Sequence, residues 1–335
     1  MPTTIDAGGW PRRGEEGPAV VALGGGHGLS ATLRALRHVT NRLTAVVTVA
    51  DDGGSSGRLR QEFDCLPPGD LRMALASLCD ESEWGLTWRD VLQHRFSGEG
   101  ELDNHALGNL LILALWQLLD DEVEGLGWVG RLLGIHGRVI PMSASPLVIE
   151  ADVVDGDERS RVSGQVAVAK TRGRLENVTV VPEGAQAHPE AIRAIEEAEW
   201  VVLGPGSWYT SVLPHVILPS LREALVTTRA RRAVVLNLTA QSGETDGMTA
   251  ADLLRVLREH APALRLDVVL ADPSTIEDLE DLEEVAGAMG ATVILRQVRT
   301  GDSMCNHDPL RLAAAFRDAF DGVVGDVGIG GSPGC

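Results

Sequence analysis

Between residues 19 and 322 the chain alternates short, unbroken apolar runs with longer stretches of helical spacing. Val20–Leu23, Leu43–Ala50 (LTAVVTVA), Trp200–Leu203, Ala233–Leu236, Leu266–Leu270 and Thr292–Leu295 are runs of four to eight residues, apolar apart from Asp267 and the threonines. Leu33–Val39, Val216–Leu225, Ala250–Glu259, Ile276–Met289 and Pro309–Phe320 carry apolar residues at helical intervals. A strand that lacks polar alternation is covered on both faces, and strands alternating with helices build a parallel sheet. The pattern predicts an α/β fold: a Rossmann-like, mostly parallel sheet with helices on both faces.

Two regions depart from this alternation. Residues 71–119 read as a helical insertion, with helices near Leu71–Leu78, Thr87–Phe96 and Leu107–Leu119. Residues 139–182 read as a small antiparallel β insertion, in which Leu147–Ile149 and Val162–Ala169 flank the turn Asp155-Gly156-Asp157 and Val178–Val181 follows. Both belong to a single domain, 19–322. Residues 1–18 and 323–335 are rich in Gly and Pro without periodicity and read as loose tails. There is no internal repeat.

Composition narrows the function classes. The 335 residues carry a formal charge of −19, and a body so acidic repels duplex nucleic acid and anionic membranes. A small anion is still acceptable where backbone N–H groups and Arg cluster locally. Hydrophobic residues make up 44%, enough for a sizeable core. The most apolar stretch, Ala106–Leu119, is too short to span a bilayer. Cys65, Cys79, Cys305 and Cys335 have no C-x-x-C spacing, which argues against structural zinc. Free thiols without a signal peptide suit a reducing cytoplasm. Lys170 is the sole lysine, and it lies outside any Gly-Lys-Ser/Thr context, so a Walker-type phosphate loop is excluded.

The candidate chemistry lies just after the strands. The first constellation is Gly24-Gly25-Gly26-His27-Gly28, between a strand and a helix, where glycines let the backbone approach a phosphate. The second, Asp51-Asp52-Gly53-Gly54-Ser55-Ser56-Gly57-Arg58, reads as a polar loop offering carboxylates, hydroxyls and one cation. In Pro67-Pro68-Gly69-Asp70-Leu71-Arg72, Asp70 suits an N-cap, and Arg72 opposes the dipole of the following helix, which hints at another use for its charge. Asn109 is a polar group at the mouth of an apolar helix. The third loop, Gly204-Pro205-Gly206-Ser207-Trp208-Tyr209-Thr210, repeats the logic of the first. After the fourth strand, Asn237 and Gln241 offer amides suited to a base or a sugar. Four such loops at four strand ends imply one crevice for a polar, phosphorylated ligand, with phosphates on Gly24–Gly28 and Gly204–Thr210. The motifs G-x-S-x-G and H-E-x-x-H are absent, and the scattered histidines, His105 among them, read as structural or surface groups.

At these same residues the sequence resembles the CofD-like family, and within it the YvcK-type gluconeogenesis-factor branch. The resemblance spans Ala19–Phe320 and rests on Gly24–Leu29, Val47–Arg60, Pro67–Arg72, Gly204–Ser211 and Gln241–Thr249. His27 stands where the family tends to have Thr, Ala240-Gln241-Ser242 where it tends to have Thr-Gln-Pro, and Asn306-His307-Asp308 where it often has Arg-His-Asp. The resemblance implies a Rossmann-like fold with a nucleotide pocket. For this branch it implies binding of UDP-sugars such as UDP-N-acetylglucosamine or UDP-glucose, with links to cell wall, cell shape and gluconeogenic growth. The CofD branch implies instead transfer of a phospholactyl-type group from a guanylyl donor to a deazaflavin, with Mg²⁺ held by an aspartate, here Asp51.

Two readings stand. In the first, a cytoplasmic regulator binds a nucleotide sugar without chemistry, requires no cofactor and passes its state to protein partners. In the second, a CofD-type transferase uses Mg²⁺ on Asp51. A nicotinamide-dependent redox enzyme ranks below both because the glycine spacing departs from G-x-G-x-x-G. A homodimer is the default assembly for a chain of this class.

Overall fold

In the computed structural model residues 17–322 are described, except Asp157, Arg172, Ser242, Asp302 and Met304. The chain begins β1 (Val20–Gly24), α1 (Gly26–Leu36), β2 (Leu43–Val47). A helical block follows: α2 (Gly54–Phe63), α3 (Pro68–Ser77), α4 (Glu83–Gln93), α5 (Leu107–Leu119) and α6 (Glu122–Leu133). Then come β3 (Arg138–Pro141), β4 (Val148–Asp155), β5 (Glu158–Ser163), α7 (Gln165–Ala169) and β6 (Arg174–Val181). The second half runs α8 (Pro189–Glu197), β7 (Trp200–Leu203), a π-helical turn (Trp208–Val212), α9 (Pro214–Ile217), α10 (Pro219–Thr227) and β8 (Arg231–Val235). It closes with α11 (Ala250–His260), β9 (Val268–Ala271), α12 (Leu279–Ala288), β10 (Thr292–Leu295) and α13 (Pro309–Phe320).

Seven strands form one parallel sheet in the order β10-β9-β8-β7-β1-β2-β3. With the inserted strands set aside, this is the Rossmann order extended by one strand, and the order reverses between β1 and β7. The central strands β1 and β7 are buried along their whole length, as their unbroken apolar runs require. One helix group, with α1 packed between α3 and α13, covers one face; α8, α10, α9, α11 and α12 pack on one another over the other. The small antiparallel sheet has the order β5-β4-β6. Its β4 alternates buried and half-buried positions, while β5 is an exposed edge.

Several expectations need correction. Pro219 lacks the N–H that a continuous Val216–Leu225 helix requires, so Leu218 is extended and α10 restarts with proline in its first turn. The Gly-Ser run at 53–57, read as a loop, is the start of α2, because tertiary partners take up the hydroxyls of Ser55 and Ser56. Val162–Ala169 divides at Gly164, where positive φ turns the strand into α7. β3 pairs in parallel with β2, so the antiparallel insertion starts at β4 rather than at residue 139. The helical block runs on through α6, and α8 also escaped the pattern. Of the supposed N-terminal tail, Pro18 is tied down by the Thr40 hydroxyl, which donates to its carbonyl at 2.7 Å. Residues 1–16 and 323–335 lie outside the described residues.

The β1/β7 junction brings two sequence-distant glycine loops together. Thr32 Oγ1 in α1 donates to Gly204 O at 2.8 Å. A Cβ on Gly28 would lie 2.1 Å from Pro205 O and 2.5 Å from Gly206 Cα, so the two backbones touch where no side chain fits. Gly28→Ala should therefore lower unfolding stability by roughly 1–3 kcal/mol in urea titrations, as overpacking does. Gly127→Ala, on a helix face with nothing within 4 Å of the new Cβ, should raise it by about 0.5–1 kcal/mol.

Candidate functional site

Because β8, β7, β1 and β2 are neighbours in the sheet, the four loops that follow them share one edge. This is the switch-point crevice where open parallel sheets bind ligands. Two helices, α1 and α2, start there on glycine. Neither Gly25 at α1 nor Gly53 at α2 supplies a side-chain cap. Ser82, Asp121, Thr249, Asp278 and Asp308 cap α4, α6, α11, α12 and α13 with side-chain oxygens. The first-turn amides of α1 and α2 thus keep capacity for an external anion. His27 is exposed on the first turn of α1.

One carboxylate faces the glycine loop, and a second stands beside it. A Cβ on Gly25 would lie 2.5 Å from Asp70 Oδ2, so glycine is what lets Asp70 approach. Asp70 sits within the first turn of α3, whose N-cap is Pro67, and so is not the cap expected from sequence. Its Oδ2 is buried without a hydrogen-bond partner, as is the nearby Thr48 Oγ1. Burial, then the repulsion of Asp51, push the Asp70 carboxyl up to about 7, against the opposing pull of the Gly26 amide and Arg72. Asp51 Oδ1 accepts from the Gly53 amide at 2.9 Å.

Arg72 is buried next to this pair, its Nε–H donating to Asn109 Oδ1 at 2.8 Å. Its two terminal amino groups make no hydrogen bond or ion pair among the described residues. Burial and the neighbouring Arg95 lower its pKa to about 10, so it remains a cation at neutral pH. Asn109 and Ser55 turn inward behind it: Asn109 Nδ2 donates to Ser55 Oγ at 2.9 Å. Ser56 Oγ accepts the Gly69 amide at 3.0 Å. Arg58, expected beside the ligand, is turned instead to the carbonyls of Glu101 and Asp103, at 3.1 and 2.7 Å. Asp52 is likewise occupied, accepting the Val166 amide at 3.0 Å and holding α7.

The third and fourth loops are locked together. Asn237 exchanges two hydrogen bonds with the Gly206 backbone, both at 2.9 Å. The buried Glu244 carboxylate accepts from Ser207 Oγ at 2.5 and 2.8 Å and from the amides of Tyr209 and Thr210 at 3.0 and 3.2 Å. The donors that the sequence offered to a phosphate at 204–210 are thus held by an internal carboxylate, whose own pKa burial raises. Tyr209 is a core residue, its hydroxyl pushed up to about 12 by burial and by Glu244. Gln241 keeps its Oε1 buried and without a partner. The structure therefore gathers Gly24–Gly28, Asp51, Asp70 and Arg72 at the crevice, with Ser55 and Asn109 behind. Sequence reasoning missed Glu244 and Thr48. A glutamate within the fourth polar loop was a visible signal; Thr48, inside an apolar run, gave none.

A sequence model described as 2-phospho-L-lactate transferase CofD matches residues 20–295. The chain belongs to the CofD family. Among its relatives, a putative gluconeogenesis factor of Mycobacterium tuberculosis is 48% identical over 94% of this chain and 93% of its own. The gluconeogenesis factor of Bacillus subtilis is 36% identical over 90% of this CofD-family chain and 98% of its own. The crystal structure of a UPF0052 family member from Bacillus halodurans superposes with a TM-score of 0.81 at 32% identity, covering 91% of this chain and 100% of that one. No described helix of this CofD-family protein is long and apolar enough to cross a membrane. Among the described residues no three His, Cys, Asp or Glu side chains gather into a metal-binding group.

Asp70 makes stability depend on pH. Between the ordinary carboxylate pKa and about 7 the folded protein holds a proton on Asp70 that the unfolded chain has released, so stability falls as pH rises through that window. In urea titrations Asp70→Asn should exceed the parent at about pH 8, and the gain should vanish toward about pH 4.

Proposed function

We propose that this CofD-family protein binds a nucleotide sugar, of the UDP-N-acetylglucosamine or UDP-glucose type, in the switch-point crevice. The diphosphate lies over the uncapped starts of α1 and α2, and Arg72 neutralises it. The observation that carries this reading is Arg72 itself: a buried guanidinium, charged at neutral pH, whose terminal amino groups have no partner among the described residues. Such a cation is costly to bury and becomes favourable once an anion meets its fork. The gluconeogenesis-factor names of the relatives support a regulatory role in carbon use. With that role go the cytoplasmic location, the protein partners and the links to cell wall and cell shape that the resemblance implies. The groups around the crevice offer binding and orientation, and the reading assigns them no bond-making step.

A second reading is favoured by the Asp51 and Asp70 pair. An orphaned carboxylate oxygen beside a second carboxylate suits a divalent cation shared with substrate phosphates. Asp51 and Asp70 would then hold Mg²⁺, which supplies charge neutralisation on the phosphates of a transferase.

Calorimetric titration with UDP-N-acetylglucosamine, with and without Mg²⁺, tests the first reading. Saturable binding at micromolar ligand is expected, weakened roughly 100-fold by Arg72→Ala, as loss of a charged hydrogen-bonding partner implies. No heat with any UDP-sugar overturns it. Turnover of a deazaflavin with a guanylyl donor, abolished by Asp51→Asn, establishes the second reading; no turnover with Mg²⁺ present removes it.

A further inference from the structure

Arg72 does not hold its own orientation. Behind it runs a chain of hydrogen bonds through four side chains from three elements and one loop. Arg72 Nε donates to Asn109 Oδ1 at 2.8 Å, Asn109 Nδ2 to Ser55 Oγ at 2.9 Å, and Ser55 Oγ meets His105 Nδ1 at 3.0 Å. Arg72 stands on α3, Asn109 on α5, Ser55 on α2, and His105 in the loop before α5. All four are buried, with exposures of 5, 1, 3 and 6%.

The chain has only one sense. An arginine Nε–H can only donate, so the amide oxygen of Asn109 must face it and the amide nitrogen must face Ser55. The Ser55 oxygen already accepts from Asn109, and from the Ala106 amide at 3.4 Å, so its own proton must go to His105 Nδ1. His105 must therefore be neutral and protonated at Nε2. A proton on Nδ1 would place a third donor against the serine oxygen, and the Asn109 amide could not turn over to relieve it, because its NH2 would then meet the Arg72 donor. The charged and titratable groups facing His105 are Arg58 and Glu62 from α2, Arg95 beyond α4, and Glu101 in the loop. Burial, then Arg58, keep the imidazole below its ordinary pKa, in line with the form the chain demands.

We propose that His105 is a positioning residue for the Arg72 guanidinium, acting through Ser55 and Asn109 to aim its free amino groups at the bound diphosphate. This rests on the nucleotide-sugar reading for the ligand, but the positioning itself does not. His105 touches no ligand; it supplies the terminal lone pair that accepts the Ser55 proton, so that the chain set by the Arg72 donor is satisfied to its end. Acidification that protonates His105 turns its Nδ1–H against the Ser55 oxygen, crowds that oxygen with a third donor and weakens the chain that holds Arg72. The site would then lose affinity below the ordinary histidine range although none of the groups reaching the ligand has changed.

The experiment uses the full chain with arginine side chains labelled with ¹⁵N. In the free protein at neutral pH one arginine Nε–H, assigned by its absence in Arg72→Lys, should be protected from exchange. It should be lost in His105→Leu and in Ser55→Ala, and restored in His105→Asn, whose side-chain oxygen replaces the Nδ1 lone pair but takes no proton. In parallel, UDP-N-acetylglucosamine affinity should fall roughly 10- to 100-fold in His105→Leu and Ser55→Ala and return to within about threefold in His105→Asn. The parent should show an acid loss of affinity that His105→Asn lacks, while any step from Asp70 appears in both. If His105→Leu and Ser55→Ala keep the protected Nε–H, or if His105→Asn behaves like His105→Leu, the positioning role is wrong. If the resonance behaves as stated but the parent binds no UDP-sugar, the positioning stands and the ligand reading fails.

Discussion

The absence of space between Gly28 and Pro205-Gly206 constrains everything else in the site. A parallel sheet whose strand order reverses between β1 and β7 opens a crevice there, but its floor is only as good as the contact between the two loops that leave it. Here that contact is backbone on backbone, with Thr32 bonded to the Gly204 carbonyl as a side-chain tie. It fixes the start of α1, and therefore the direction of its unbonded amides. On the far side Asn237 and Glu244, in the loop after β8, tie down the 204–210 loop. The donors of the third loop are thus taken up internally, which leaves the first and second loops for the anion in the proposed reading.

The electrostatics follow from the same arrangement. The protein is strongly acidic overall, and six of the eight residues Glu277–Glu284 are Asp or Glu on or beside the outer helix α12. At the crevice the balance depends on few groups: helix amides, Arg72, and the acids Asp51 and Asp70. Asp70, displaced to about 7, can shed part of its negative charge when an anion arrives or keep it when a cation does. The crevice can therefore answer to a diphosphate alone or to a diphosphate with a metal, and both readings of function draw on the same pair of carboxylates.

Much of the fold was legible because buried parallel strands are written as unbroken apolar runs: β7, like α5 and α13, coincides with its sequence-based limits, and so does the less buried edge strand β10. What stayed hidden has identifiable causes. α2 begins Gly-Ser-Ser-Gly, a poor helix former, and is held by hydrogen bonds to residues far along the chain. β3 is four residues long at the sheet edge, and its parallel partner cannot be read from a local pattern. At the site, sequence named the glycines, Asp70 and Arg72, but residue type alone cannot tell a group that reaches the ligand from one that holds its neighbour. Ser55 and Asn109 proved to stand behind Arg72, and Arg58 on the outer side of α2 faces the 101–103 carbonyls. His105 looked ordinary because its partner lies fifty residues away.

The central claim is that a nucleotide-sugar diphosphate meets the amides at the starts of α1 and α2 beside Arg72. Backbone hydrogen–deuterium exchange of the intact protein, with and without saturating UDP-N-acetylglucosamine, tests it most directly. The account predicts new protection concentrated at Gly25–Leu29 and Gly53–Gly57, with little change across the already bonded 207–211 turn. Protection confined to other segments, or none at saturation, would contradict it.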